Sequence, residues 1–340
     1  MLFAFLELKR LLLIVLPLML AACSLIDDDL SVCGVDQPIN YVLQLHTNIS
    51  AQLQAELSAE NEVPAREALE RWLVPIFPDK NIDVDLRFYD KQNDELTFSR
   101  QEILQNNRTS ITLTLPRDSF MHLAVANVAN ARQVYMQDDD HSANMYLKLP
   151  DTPIMDGLNS GIFTARLPID VTDSIRDIEV ILNLITSSVA VVIDTISCPQ
   201  MLGISGYMDG SAGGFGVRDS IFMYDSSPSI RFEQVPIEAA TSSPARKATV
   251  STGSPYICQA TACFATPDDE EWKISMTTTL TDNRHTTTTL TIKESLTAGT
   301  LRILKLQMNE DGGLVPVSTS EVGASIELDW KKGNDQEIEI

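Results

Sequence analysis

The stretch Ile82-Asp83-Val84-Asp85-Leu86-Arg87-Phe88-Tyr89 decides the fold class. Apolar residues at 82, 84, 86 and 88 alternate with Asp83, Asp85, Arg87 and Tyr89. This period of two predicts a half-buried strand with one face on a core. The same period recurs on either side. Tyr41, Leu43 and Leu45 alternate with Val42, Gln44 and His46, and Ile111, Leu113 and Leu115 alternate with Thr112 and Thr114. Met121, Leu123 and Val125 follow a turn marked by Pro116 and Asp118. Further on, Ile178, Val180, Leu182 and Leu184 alternate with Glu179, Ile181 and Asn183, and Val189, Val191 and Ile193 form the natural next strand. More strands are predicted at 272–280, 286–292, 301–308 and 325–330. The threonine runs 277–279 and 286–289 are β-formers flanked by Leu280, Leu290 and Ile292. One helix interrupts the pattern. Pro64 suits a first turn, while Leu69, Trp72, Leu73, Ile76 and Phe77 share a helical face. Pro75 should end this helix near Val74. The expectation is an all-β chain of two tandem β-sandwich domains, residues 37–170 and 171–340, with one short helix in the first.

Ahead of the strands stands an export signal. Lys9 and Arg10 precede the apolar run Leu11 to Leu20, and Leu20-Ala21-Ala22-Cys23 forms a lipobox. Residues 1–22 read as a signal peptide, and Cys23 as the lipidation site at the first residue of the mature chain. Several acyl chains together hold a protein stably on a membrane. Residues 23–36 read as an acidic tether with no apolar period. The chain carries 25 Lys+Arg against 47 Asp+Glu, a net charge of −22. Such a surface repels nucleic acid and anionic headgroups, so nucleic-acid binding is excluded.

The search for chemistry returns little. Once Cys23 is lipidated, Cys33, Cys198, Cys258 and Cys263 remain, which permits two disulfides in any of three connectivities. Cys258 and Cys263, with four residues between them, are the candidates for a local bridge or for facing positions on one hairpin. There is no CxxC, and the four histidines are scattered, so no metal site is expected. The Gly-rich stretch 203–216 lacks a GK[ST] ending and reads as strand, turn and strand. No GxSxG or HExxH is present. No catalytic residues, enzymatic activity or cofactor are expected. Residues 130–160, with Asp138, Asp139 and Asp140, read as a long surface excursion without the spacing of a calcium loop. Ser242 to Ser254 reads as a loop whose Arg246 and Lys247 could meet a protease. Ile326, Leu328 and Trp330 alternate before a turn at 332–335, which makes a terminal strand that can complete its own sheet or be donated to a neighbour.

Cys23-Ser24-Leu25-Ile26-Asp27-Asp28-Asp29-Leu30-Ser31-Val32-Cys33 resembles the mature N-terminus of the FimB-type fimbrial anchor and accessory lipoproteins of Bacteroidetes. Weaker likeness extends over Ile82–Asp90, Ile178–Asp194 and Ile204–Gly216, so it spans nearly the whole mature chain. At the turn after Tyr89-Asp90, Asn93 or Asp94 stands where that family commonly has glycine. The resemblance implies two transthyretin-like β-sandwiches and a cell-surface, outer-membrane role in type V fimbriae. It also implies contact with stalk or accessory subunits by strand addition, and anchoring of the fibre through lipid. The alternatives are a tip or accessory subunit, or a surface lipoprotein that binds glycan or peptide. Aromatics are sparse at 6%, and Trp72, Trp272 and Trp330 lie in patterned segments, which counts against a glycan platform.

Overall fold

The computed structural model describes residues 36–47, 49–76, 82–105, 108–137, 143–152, 154–172, 174–175, 177–196, 201–237 and 256–317, and the backbone of 326–332 and 336–338. Cys23, Cys33, Cys198, Phe77, Asp138 to Asp140, Ser242 to Ser254 and the side chain of Trp330 lie outside the described residues.

In chain order the elements are β1 (Gln37–His46), α1 (Ile49–Glu56), a 3-10 turn (Glu60–Glu62), α2 (Val63–Ile76), β2 (Ile82–Asp90), β3 (Leu96–Leu104), β4 (Ser110–Leu115) and β5 (Ser119–Ala126). Then come β6 (Val134–Gln137), β7 (Asn144–Leu147), β8 (Ile154–Asp156), β9 (Phe163–Asp170), β10 (Asp177–Leu184) and β11 (Ser187–Asp194). β12 (Met201–Asp209), β13 (Gly214–Gly216), β14 (Ile221–Met223), β15 (Ser229–Arg231), β16 (Glu233–Val235) and β17 (Tyr256–Cys263) follow. The chain closes with β18 (Trp272–Leu280), β19 (His285–Ile292), β20 (Leu301–Met308), β21 (Leu314–Pro316), β22 (Ile326–Lys332) and β23 (Gln336–Ile338). The fold is all-β with short helices, as the alternation predicts.

Four sheets form. The N-terminal sheet has the order β3-β2-β5-β9-β10-β1-β4, and the central sheet β16-β17-β11-β20-β21. The outer sheet runs β23-β22-β19-β18-β12-β15-β8, and a small sheet runs β14-β13-β7-β6. Pairing crosses the boundary drawn at 170/171. β10 pairs in parallel with β1, and β8 pairs in parallel with β15.

The central sheet is buried on both faces. Val189, Val191 and Ile193 of β11 pack with Trp272, Ile274 and Met276 of the outer sheet. Ala190 and Val192 face the other way, into a core shared with the helices and the N-terminal sheet. The unbroken apolar run 189–193 is the signature of a strand covered on both sides. The helices fill the layer between these two sheets. Leu53 of α1 and Ala65, Ala68, Leu69 and Leu73 of α2 are buried there. Polar ties fix the layer to the central sheet: Leu301 N–H donates to Gln52 Oε1 (2.7 Å), Asn61 Nδ2 to Tyr256 OH (2.6 Å), and Lys305 Nζ meets Glu62 at 2.9 Å.

Several expectations are refined. α1 adds a second short helix, its buried Ile49 and Leu53 continued by Leu57 at four-residue spacing. α2 runs through Pro75 to Ile76. β2 is buried on both faces from Val84 to Tyr89, because its polar side carries the buried ion pair Asp85–Arg87 (3.0 Å). Gln101 Nε2 donates to the same Asp85 at 2.9 Å, so the carboxylate is fully engaged. Asp94 takes a positive φ of 66° in the β2–β3 turn, where Glu95 N–H donates to Asn93 Oδ1. The region 130–160 contains three strands, β6, β7 and β8.

The expected Cys258–Cys263 bridge is overturned. Both residues lie on β17 and both thiols are free. Five positions along a strand span about 17 Å, while a disulfide needs its Cα atoms within roughly 7 Å. The odd separation also turns the side chains to opposite faces, Cys258 toward the helices and Cys263 toward the outer sheet. Burial pushes the Cys258 thiol up to about 12 and raises Cys263 as well.

Candidate functional site

The N-terminal sheet does not close on itself. Among the described residues its first and last strands, β3 and β4, each pair on one side only. In the connection between them Arg108 N–H bonds Gln105 O (3.1 Å), and side chains rather than a backbone ladder span the gap. β3 is the most exposed long strand of this sheet, with Ile103 61% exposed.

Three charged side chains bridge the seam. Arg100 on β3 donates from Nη1 to Thr112 O of β4 (2.8 Å) and from Nη2 to Glu102 Oε2 (2.6 Å). Arg108 donates from Nε to Ser110 O (2.7 Å) and from Nη1 to Glu102 Oε1 (3.4 Å). Glu102 therefore holds both guanidinium groups against β4. The acceptors are informative, because Leu43 N–H of β1 bonds Thr109 O on the other side of this strand. Alternate carbonyls of a strand point to opposite edges, so Ser110 O and Thr112 O lie on the free edge. An edge covered by charge in this way is protected from unplanned pairing.

Beside this latch an apolar groove of about 480 Å³ opens between the two sides of the sheet. Val42, Leu43, Leu45, Ile82, Val84, Leu104 and Leu182 line it, with Gln44, Arg108 and Thr109 in its wall. Together the free edges offer main-chain hydrogen bonds, and the groove offers room for alternate apolar side chains. That combination suits an added extended strand.

The interior behind the groove is fixed by a buried polar pair. His122 Nδ1–H donates to Arg87 O (3.0 Å), a carbonyl that can only accept. Nε2 is then the acceptor, and Tyr41 OH donates to it at 2.6 Å. Phe88 stacks on the imidazole with centroids 4.1 Å apart. Burial lowers the His122 pKa to about 4 and raises that of Tyr41. Both residues are fully enclosed, so this pair is structural.

Among the described residues no group of three His, Cys, Asp or Glu side chains converges to hold a metal ion. No described helix is long and apolar enough to cross a membrane. Trp272 is buried, its Nε1 donating to Glu294 O at 2.8 Å, while Trp72 is partly buried against the cores. The C-terminal strand is paired within the chain, β22 with β19 and β23 with β22. The residues of the latch escape sequence reasoning, since β3 has no apolar alternation. Its signal is a polar run, Ser99-Arg100-Gln101-Glu102, inside a β-rich chain.

No protein-family model matches the chain, and no curated protein matches it in sequence. Solved structures resemble it at low identity, one of them with a TM-score above 0.5. A candidate adhesin from Bacteroides thetaiotaomicron superposes with a TM-score of 0.53 at 12% identity, covering 86% of this chain and 96% of that one. A candidate polysaccharide-binding protein from the same species gives 0.49 at 11% identity, covering 84% and 99%. The fimbrial anchor protein Mfa2 from Porphyromonas gingivalis gives 0.45 at 10% identity, covering 89% and 99%.

Proposed function

We propose that this chain is a non-enzymatic outer-membrane lipoprotein subunit of type V fimbriae. It anchors the fibre at the cell surface through lipidated Cys23 and receives a strand from a fimbrial subunit at the β3/β4 seam. Residues 23–36 act as the spacer between lipid and fold. The observation that carries this reading is the seam itself: two edges unpaired among the described residues, an apolar groove beside them, and a removable charged cover. The lipobox and the acidic N-terminal motif support it, as does a fold shared with a candidate adhesin. The same features would serve an accessory subunit nearer the tip.

A photo-crosslinker at Ser99 on the exposed face of β3, compared with one at Thr279 on β18, tests the seam on intact cells. Crosslinks from position 99 to a fimbrial subunit are expected, with none from position 279. Fibres that stay attached while position 99 captures no fimbrial subunit would remove the seam from the mechanism.

A further inference from the structure

The small sheet has a face that the seam does not use. Its inner face buries Val134, Met145, Leu147 and Phe215. Strand register sets two rows across its outer face. The first is Tyr135, Tyr146, Gly214 and Met223; the second is Gln137, Asn144, Gly216 and Ile221. Tyr135 is 44% exposed and Ile221 60%. The two tyrosine rings lie side by side, centroids 5.8 Å apart and planes 30° apart, as a shallow plate. Glycine at 214 lets the strip continue. A Cβ there would stand 2.6 Å from Met145 O of the neighbouring strand, 3.0 Å from Met223 Cε and 3.1 Å from Tyr146 Cδ1, so backbone and two side chains close over it. Asn144 reaches over Gly216 in the same way, its Oδ1 3.2 Å from where a Cβ would stand. Neither row holds a charged residue, although the chain has 25 basic and 47 acidic ones.

We propose that this face binds a neutral glycan. Sugar rings lie along Tyr135, Tyr146 and Met223, and their hydroxyls meet Gln137 and Asn144. A sugar ring presents an apolar C–H face and a hydroxyl edge. The face needs a flat apolar contact, and the edge needs groups that both donate and accept, as side-chain amides do. Adjacent strands stand about 4.8 Å apart, a repeat close to the length of one sugar unit, so a row across strands matches a linear chain. The acidic surface disfavours anionic polymers. Eight residues fall well short of the roughly twenty per side that a stable protein interface uses, which favours glycan over protein here.

The test titrates the full-length protein, held in a polyoxyethylene detergent free of sugar, with cellohexaose, maltohexaose and mannohexaose in a calorimeter. At least one should bind at millimolar concentration or below. Tyr135→Ala and Tyr146→Ala should each weaken it about tenfold or more, with circular dichroism unchanged, while Leu149→Ala, another exposed apolar residue, should leave it intact. Failure of all three hexasaccharides to bind overturns the proposal. So does binding that survives the Y135A/Y146A double substitution. A folded double variant that loses fibres from cells, beside a wild type blind to sugar, would make the face a protein contact and overturn it equally.

Discussion

Tyr41 and His122 show how a single buried group makes stability depend on pH. In the unfolded chain the imidazole titrates near its ordinary value, roughly 6.5. In the fold burial lowers it to about 4. Between these values the unfolded state binds a proton that the folded state refuses. Stability therefore falls as pH drops through this window, by about 3 kcal/mol in total, and this group adds no further loss below it. The double substitution Tyr41→Phe with His122→Phe removes both polar partners and keeps the ring stack on Phe88. Urea midpoints at pH 7, 5.5 and 4.5 should fall more steeply for the wild type than for the double variant, because shared carboxylate effects cancel in the comparison. Tyr41→Phe alone leaves Nε2 buried without its donor and should cost about 1–3 kcal/mol at pH 7. The two thiols make another residue-scale prediction. Unreduced protein should resist alkylation at Cys258 and Cys263 while folded and take up label at both once unfolded; mass spectrometry of the peptides spanning them reads this directly. A disulfide between them would leave both unlabelled.

The β3/β4 latch belongs to the scale of elements. Arg100 and Arg108 are partly exposed, and exposed ion pairs contribute little stability, about 0–1 kcal/mol. Their removal by R100A/R108A should therefore leave the melting curve nearly unchanged. It should expose Ser110 O and Thr112 O, and the protein should begin to associate at high concentration in sedimentation experiments. A variant as monomeric as the wild type would show that the arginines do not guard the edge. The latch also marks the limit of what sequence reading can reach. β2, β4, β5, β10 and β18 are legible because one face of each is apolar at period two. α2 is legible from Leu69, Leu73 and Ile76. β3 is not, since an edge strand with polar residues on both faces has no periodicity to find. β6 and β7 were hidden for a related reason: each is only four residues long. Tyr135 and Tyr146 become neighbours only through the pairing of those strands. The double burial of β2 was hidden as well, because its outward Asp85 and Arg87 read as solvated, whereas they are buried as a pair with Gln101 bonded to the carboxylate.

On the scale of the whole molecule, the central sheet is covered on both of its faces. Helices seal it on one side and the outer sheet on the other, and the cores on its two faces share strands β11 and β17. Of the proposed tether, Cys23 to Val35 lie outside the described residues. Cys23→Ser should leave the folded part untouched and shed the protein from the membrane fraction under a high-salt wash. A variant still pelleting with membranes would rule out lipid as the anchor.

The position of β1 has a mechanical consequence. It is the first described strand after the tether, and it lies between β10 and β4, in register with seven residues of the one and six of the other. Were the chain held by lipid at Cys23, as proposed above, a pull would enter the fold at the N-terminal end of β1, Gln37. It passes sideways into β4, whose far edge is where a partner strand would add. Every bond of the β1–β4 ladder then carries tension at once, so the joint resists as a lap seam rather than opening like a zip. Survival under such force is governed by the rate of rupture rather than by equilibrium stability. The load would thus divide between the two strands that flank β1, β4 and β10.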